Sequence, residues 1–248
     1  MIDGKNKRKK WRPAELEDQS WFPEWLRAYQ MAFLSTLDRS TGLYLPVNRL
    51  LVRLHPDKIV DLASGSGESV WRCTSSLRKT GAEVTLTDKF PFAHAANRAI
   101  YHGESLDILT SQLPDADLYT MFNAFHHFDE EERTLIAKKA TKNGAAFLVI
   151  EPLRPGADVF FKVFFATFIG PFLLAPFMRP FSVKWLLLTY IFPLGMLATC
   201  WDGLASVVKS LGKNEWNELE ADLISEGKTV EHGLLPSHTA KLKYFLVK

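Results

Sequence analysis

Cysteine is nearly absent from this chain of 248 residues. Cys73 and Cys200 stand far apart and offer neither a disulfide framework nor a metal-ligand spacing, so a reducing compartment is expected and a metal site is not. Acid is missing altogether from residues 159–201, where Lys162, Arg179 and Lys184 are the only charges. An unbroken run of about 20 apolar residues is also missing. Pro171 and Pro176 divide one apolar stretch and Pro193 another, so neither reads as a comfortable membrane span. The basic N-terminus is not followed by an apolar segment, and no secretory signal is expected.

What is present reads as globular. Hydrophobic residues make up 47% and charged residues 23%, which excludes a disordered chain and a polytopic membrane protein. The net charge of +2 hides an uneven distribution: Lys5, Lys7, Arg8, Lys9, Lys10 and Arg12 form a basic tail, and the remainder is slightly acidic. Without a groove-reading element or a stacking platform this tail predicts no specific nucleic-acid partner; an anionic membrane surface suits it better.

The pattern divides the chain into a flexible basic tail over 1–20, a helical cover over 21–57, and an α/β domain over 58–248 with an apolar helical insertion at about 156–201. Trp21, Trp25, Tyr29, Phe33 and Leu37 recur at helical spacing, ending near Asp38–Gly42, and a short helix follows at Val47–Leu54. Strands are expected at Lys58–Leu62, Glu83–Thr87, weakly around Tyr101, and at Leu118–Phe122, Ala145–Ile150, Thr229–Gly233 and Lys241–Lys248. Helices fall between them at about Glu68–Lys79, Phe92–Ile100, Glu130–Ala140 and Asp202–Ser225. Alternation of this kind predicts a doubly wound, mostly parallel sheet of seven strands with helices on both faces.

The stretch IVDLASGSGES, residues 59–69, carries the most chemistry: an apolar strand ends in an acid and enters a glycine turn that opens a helix. Such a turn brings backbone close to a ligand and exposes helix N-terminal amides. The spacing is not G-x-G-x-x-G. Asp61, Ala63, Ser64, Gly65 and Gly67 instead resemble motif I of class I S-adenosylmethionine-dependent methyltransferases, with Ala63 where that family usually has glycine, a change tolerable at negative φ. Asp88, followed by Lys89, ends the second strand where a carboxylate can accept from ribose hydroxyls, although it also fits a turn before Pro91. In ESLDIL, Asp107 falls where the family has an acid for the adenine amino group, flanked by Leu106 and Ile108, with Glu104 as a rival and a solvated loop acid as the plain alternative. FNAFHHF, residues 122–128, resembles the segment that passes the methionine part of the cofactor, here with Asn123 and Ala124. The chain is most similar to a bacterial group with FHHF and WDG segments, the latter Trp201–Asp202–Gly203, and a hydrophobic insertion. This resemblance implies a Rossmann-like fold, S-adenosylmethionine as cofactor, and Lys241–Lys248 as an antiparallel edge strand.

Methyl transfer from a sulfonium requires alignment, exclusion of water and, for a hydroxyl acceptor, a base. His126 and His127 are neutral enough near pH 7 to accept a proton, one of them pointing inward. Glu151, ending the fifth strand, is placed to orient substrate or bond a helix terminus, and Asp202 either acts or N-caps the next helix. Phe160, Phe161, Phe164, Phe165 and Phe168, then Leu186, Leu187, Tyr190, Ile191 and Leu194, predict two short apolar helices over the cofactor. They form either a closed pocket with the Trp21–Leu37 helix or an interfacial membrane surface. The expected acceptor is a hydrophobic small molecule or lipid, and the expected location is cytoplasmic, peripheral on the inner face of a membrane. The alternative is a membrane-peripheral binding module that kept the fold without turnover.

Overall fold

A computed structural model describes residues 10–92 and 101–248. The tail at 1–9 and all but Phe92 of the helix expected at Phe92–Ile100 lie outside the described residues. The strands are β1 (Lys58–Asp61), β2 (Glu83–Leu86), β3 (Leu118–Phe122), β4 (Ala146–Glu151), β5 (Val230–Pro236) and β6 (Lys241–Val247), in spatial order β2-β1-β3-β4-β6-β5. Pairings among β2, β1, β3 and β4 are parallel, whereas β6 runs antiparallel to both its neighbours. The described sheet therefore has six strands where seven are expected. Tyr101, the weak strand, contributes one parallel bridge to Leu86 at the outer edge. The last strand is antiparallel as expected, but it is not at the edge: β6 inserts between β4 and β5, and β5 is the outer strand.

Alternation along the strands builds two cores. Val60, Met121, Phe147, Val149 and Phe245 face one side, where Ile136 of α5 (Glu130–Ala140) and Trp216 of α10 (Lys213–Ser225) cover them. Ile59, Leu148, Ile150 and Leu246 face the other, under α2 (Val47–Leu54), α3 (Glu68–Cys73) and α4 (Ser75–Lys79). The expected Glu68–Lys79 helix is thus two helices meeting at Thr74, whose hydroxyl bonds back to Val70 O at 2.8 Å, a local alternative to the backbone ladder. Helix α5 starts where expected because Asp129 and Glu132 form a reciprocal capping box.

The long helix α1 (Glu24–Thr41) crosses the carboxyl edge of the sheet and packs on the insertion. That insertion consists of α6 (Ala157–Phe168), α7 (Gly170–Leu174), a 3-10 turn, α8 (Val183–Leu186) and a π-helical turn at Leu187–Ile191, followed by α9 (Leu194–Lys209). Pro171 lies in the first turn of α7, where its missing N–H costs no hydrogen bond, so the helical run continues. Ala157–Phe177, 21 residues, is consequently long and apolar enough to cross a membrane, contrary to the expectation from its prolines. The helix expected from Asp202 begins earlier, at Leu194, and ends at Lys209 before α10.

The glycine turn after β1 is tightly held. Gly67 has φ +69°, and a Cβ there would meet Leu86 Cδ1 at 2.2 Å. Gly67→Ala combines a left-handed penalty of about 1–2 kcal/mol with overpacking of about 1–3 kcal/mol. Denaturant unfolding of that variant is expected to show a loss of about 2–4 kcal/mol, with the slope unchanged.

Candidate active site

The turn after β1 curls around its own acid. Asp61, 2% exposed, accepts from Thr120 Oγ1 at 2.5 Å through its side chain, while its backbone oxygen takes Ser64 Oγ and Thr87 Oγ1. Burial pushes its carboxyl up to about 7, against the hydrogen bonds from Thr120 and Ser64. Ala63 sits at φ +54°, not the negative φ under which its methyl is tolerable, so this position stores local strain. Gly65 is also left-handed, and a Cβ on it would meet Met31 Sδ at 2.9 Å. A larger residue there would add both left-handed strain and crowding against the Met31 side chain of α1.

Asp88 is tied to the same turn. Its Oδ2 accepts from Gly65 N and its Oδ1 from Phe90 N, both at 2.8 Å, and burial raises its pKa. Asp107 pairs with Lys89 at 2.9 Å and caps its own turn through Leu109 N; the Lys89 contact lowers its pKa. Leu106 and Ile108 are buried beside it. Asn123 is left-handed (φ +52°), donates its N–H to Ile150 O, and has a buried Oδ1 with no hydrogen-bond partner.

These groups line one cavity of about 2450 Å³, which runs from the glycine turn under α1 to the apolar insertion. Asp61, Ala63, Ser64, Gly65, Asp88, Lys89, Leu106, Asp107, Ile108, Asn123, Ala124, His127 and Asp202 all reach its wall. Gly67, His126 and Glu151 do not, and neither does Glu104, so Asp107 is the acid facing the cavity.

The two histidines are tethered rather than free. His126 is fully buried, and its Nδ1 lies 3.0 Å from Glu151 Oε2. The hydrogen is assigned to Nδ1, because a carboxylate only accepts. Glu151 thus positions His126 and does not touch the cavity. His127 Nδ1 bonds Asp18 Oδ2 at 2.8 Å, and its Nε2 is 3.2 Å from Glu15 Oε2. Burial opposes its protonation, but Glu15 and Asp18 outweigh it and raise the imidazole to about 9. The expectation of a neutral base near pH 7 is therefore reversed for His127. Asp18, for its part, is held down at about 2: partial desolvation works against ionisation, and the His127 contact overcomes it.

Glu15 and Asp18 belong to the segment expected to be a flexible tail. The described part of that segment, residues 10–20, is a strap fastened across the site. Arg12 Nη2 donates to His126 O and to Phe128 O at 2.8 Å, and Lys10 pairs with Glu215. Asp202 accepts from Leu16 N, Glu17 N and Gln30 Nε2, while Trp201 Nε1 donates to Ala14 O. Asp202 lies in the middle of α9, so it is not an N-cap; burial raises its carboxyl to about 6. A Cβ at Gly203 would stand 3.0 Å from Val163 and Thr167, so α6 packs directly on it. The three residues of the WDG segment thus hold the strap and seat the insertion. Buried Lys209 closes the group, 2.9 Å from Glu15 Oε1. Glu17, also on the cavity wall, is pushed up to about 8 by burial, with Glu15, Asp202 and Asp18 adding repulsion and His127 opposing it.

Sequence reasoning missed Glu15, Glu17, Asp18 and Lys209. Their partners lie 109 to 194 positions away in contacts such as His127–Asp18 and Lys209–Glu15, which leave no local periodicity to read.

No family model matches the chain, and no curated protein does. Solved structures do match. Human N-acetylserotonin methyltransferase, solved with S-adenosylmethionine, aligns at TM-score 0.52 and 18% identity over 90% of this chain and 55% of its own. An O-methyltransferase family 2 protein from Planctomyces limnophilus, solved with apigenin, gives 0.54 and 14% over 92% and 63%. The plantazolicin methyltransferase BpumL, solved with a desmethyl plantazolicin analogue and S-adenosylhomocysteine, gives 0.54 and 12% over 94% and 96%. The chain spans less than two thirds of the length of the first two. Sheet order, the single reversed strand and these alignments together show a class I methyltransferase fold.

Because Asp61 keeps a proton in the folded state up to about pH 7 and loses it near 4 when unfolded, it makes stability fall as pH rises between those values. Asp61→Asn removes that slope. Chemical denaturation from pH 4 to 8 is expected to show the variant gaining on the wild type until about pH 7 and holding level above it.

Proposed function

We propose that this chain is an S-adenosylmethionine-dependent methyltransferase acting on a hydrophobic small molecule. The single observation that carries the reading is one continuous cavity with the glycine turn, Asp88 and Asp107 at one end and the apolar insertion at the other. The residues present fit the cofactor: the glycine turn, Asp88 and Asp107 line the cavity, and the same lining includes Asn123, whose buried Oδ1 has no partner. Asp88 would take the ribose hydroxyls with the acceptor capacity that Gly65 and Phe90 leave free, Asp107 the adenine amino group between Leu106 and Ile108, and Asn123 and Ala124 the methionine part. When bound, the cofactor supplies the electrophilic methyl carbon and its leaving group. The chain's own part is to align the acceptor and keep water out, which Trp185, Phe181 and Val163 on the cavity wall serve better than a polar lining would. A wall of this composition favours an apolar acceptor over a sugar or a charged peptide.

The insertion also supports a peripheral membrane location. Its inner side packs on α1, where Tyr29 meets Trp185 and bonds Thr189, but its outer side exposes Phe161, Phe165, Leu173, Phe177 and Phe192, with Phe177 at 68% exposure. Lys162, Arg179 and Lys184 stand among them without acids. Exposed apolar side chains with only basic charges suit an anionic interface, which would also deliver a lipid acceptor to the cavity. Lys10 and Arg12 are spent inside the fold, so the insertion and not the described tail carries this reading.

Calorimetry on the folded chain is expected to show S-adenosylmethionine binding of micromolar order, weakened about 10- to 100-fold by Asp88→Ala, as loss of a charged acceptor predicts. A folded wild type that binds none ends the proposal. Retention of cofactor with no methylated product across small-molecule and lipid extracts favours the non-catalytic module.

Flotation with anionic liposomes is expected to carry the chain upward, and joint replacement of Lys162, Arg179 and Lys184 by Gln to reduce it. A wild type that stays at the bottom in low salt leaves the closed-pocket form, with the acceptor arriving from solution.

A further inference from the structure

At the carboxyl edge of the sheet His126 Nε2 and Glu15 Oε2 are buried without a hydrogen-bond partner, and both lie beside the His127 ring. Both residues are essentially inaccessible, at 1% and 0% exposure. An unpaired polar atom in such a place costs free energy unless something fills the space between. His127 supplies a third atom: its Nε2 lies 3.2 Å from Glu15 Oε2, an ion-pair contact whose proton a bound ion would replace. One atom from each of the three residues falls within 4.8 Å of the others.

The surroundings are those of a ligand set. Each imidazole has its Nδ1 on a carboxylate, His126 on Glu151 at 3.0 Å and His127 on Asp18 at 2.8 Å. This fixes both rings and turns both Nε2 atoms toward Glu15, the outer-sphere arrangement that orients metal-bound histidines. Glu15 is fixed as well: its Oε1 is saturated by Lys209 at 2.9 Å and Ser206 at 3.1 Å, which leaves Oε2 as the free donor. Three carboxylates, Glu15, Asp18 and Glu151, converge on the two rings, and Lys209 offsets one of them.

We propose that Glu15, His126 and His127 bind one divalent first-row transition-metal ion. Two imidazoles and one carboxylate match zinc, iron, cobalt or nickel and discriminate against magnesium and calcium, which take oxygen. Tetrahedral bonds of about 2.1 Å hold donors roughly 3.4 Å apart. The three donor atoms, within 4.8 Å of one another, must therefore close in by up to about 1.4 Å, within reach of side-chain adjustment. His127 lines the cavity, so the ion's remaining position opens there. The site stands independently of the methyl-transfer reading.

The full chain, dialysed against a chelator, is titrated with Zn²⁺ by calorimetry and with Co²⁺ by visible absorption, in the absence of S-adenosylmethionine. One equivalent of Zn²⁺ is expected, together with Co²⁺ bands in the visible that Zn²⁺ displaces. Glu15→Gln, His126→Gln and His127→Gln should each weaken binding at least tenfold, and His232→Gln, at the outer strand, should leave it unchanged. A folded wild type that takes up no stoichiometric ion, or ligand variants that bind as well as wild type, overturns the proposal. If the variants fail to fold, anomalous diffraction from wild-type crystals soaked in Zn²⁺ decides: a peak between Glu15 and the two rings supports the site, and a peak elsewhere or none refutes it. Because cofactor binding is measured separately, failure here leaves the methyltransferase reading standing, and the reverse also holds.

Discussion

Glu15 is a buried carboxylate carried by a segment without secondary structure, and the carboxyl edge of the sheet is organised around keeping it partnered. Removing an ion from water costs several kcal/mol even after relaxation, so its location has to be compensated by nearby charge and hydrogen bonds. Lys209 and Ser206 come from α9, His127 from the turn after β3, and Asp202 on α9 holds the neighbouring backbone at Leu16 and Glu17. Through these contacts one short strap ties the last helix of the insertion to the sheet. The positions of His126, His127 and the cavity wall all follow from that tie, because the strap lies over the rings and Arg12 clamps the backbone on both sides of them.

How much of this was legible depends on whether a feature is local. The limits of β3, α2 and α5 read directly from the sequence pattern, and the glycine turn after β1 from its residue types. The place of β6 did not. An antiparallel strand looks the same in sequence at an edge or between two neighbours, and only the pairing of β4 with Val247 to Lys243 distinguishes them. The left-handed backbone at Ala63 was equally invisible, since alanine carries no signal of a strained φ. Least visible was the strap. A basic, polar N-terminal stretch reads as solvated, and nothing in residues 10–20 announces that Glu15 and Asp18 will meet His127 and Lys209, more than a hundred positions later.

The insertion shows a related ambiguity in apolar sequence. Both expected forms, a packed lid and an exposed apolar surface, occur in the same segment on opposite sides. Tyr29, Phe33, Met178 and Trp185 form a small core between α1 and the lid, and Gly195 permits the close approach by leaving room for the Tyr29 ring. On the far side the exposed phenylalanines meet rings of their own segment, Phe161 against Phe160 and Phe165 against Phe164. Composition alone reports that such a segment avoids water; the face that finds protein and the face left bare are set by where the helical run ends, after Phe177, and by the bend of 77° before α9.

These features divide the cavity by chemistry. At one end the turn after β1 offers backbone amides and carboxylates that bind polar groups with direction; at the other the lid offers area without direction. Between them lies the ionic strap, whose acids are shifted in opposite senses, Asp18 down and Glu17 up. The shifts differ in cause: burial and like charges raise Glu17, which lies 4.0 Å from His127 without a hydrogen bond to it, whereas the direct His127 contact overcomes burial at Asp18. A polar ligand and an oily one can therefore meet across a boundary where charge is fixed by the fold and not by solvent. That arrangement requires the strap to stay in place: if it detached, water would reach His126 and His127, the imposed charge states would relax toward their solution values, and the two ends of the cavity would cease to be one site.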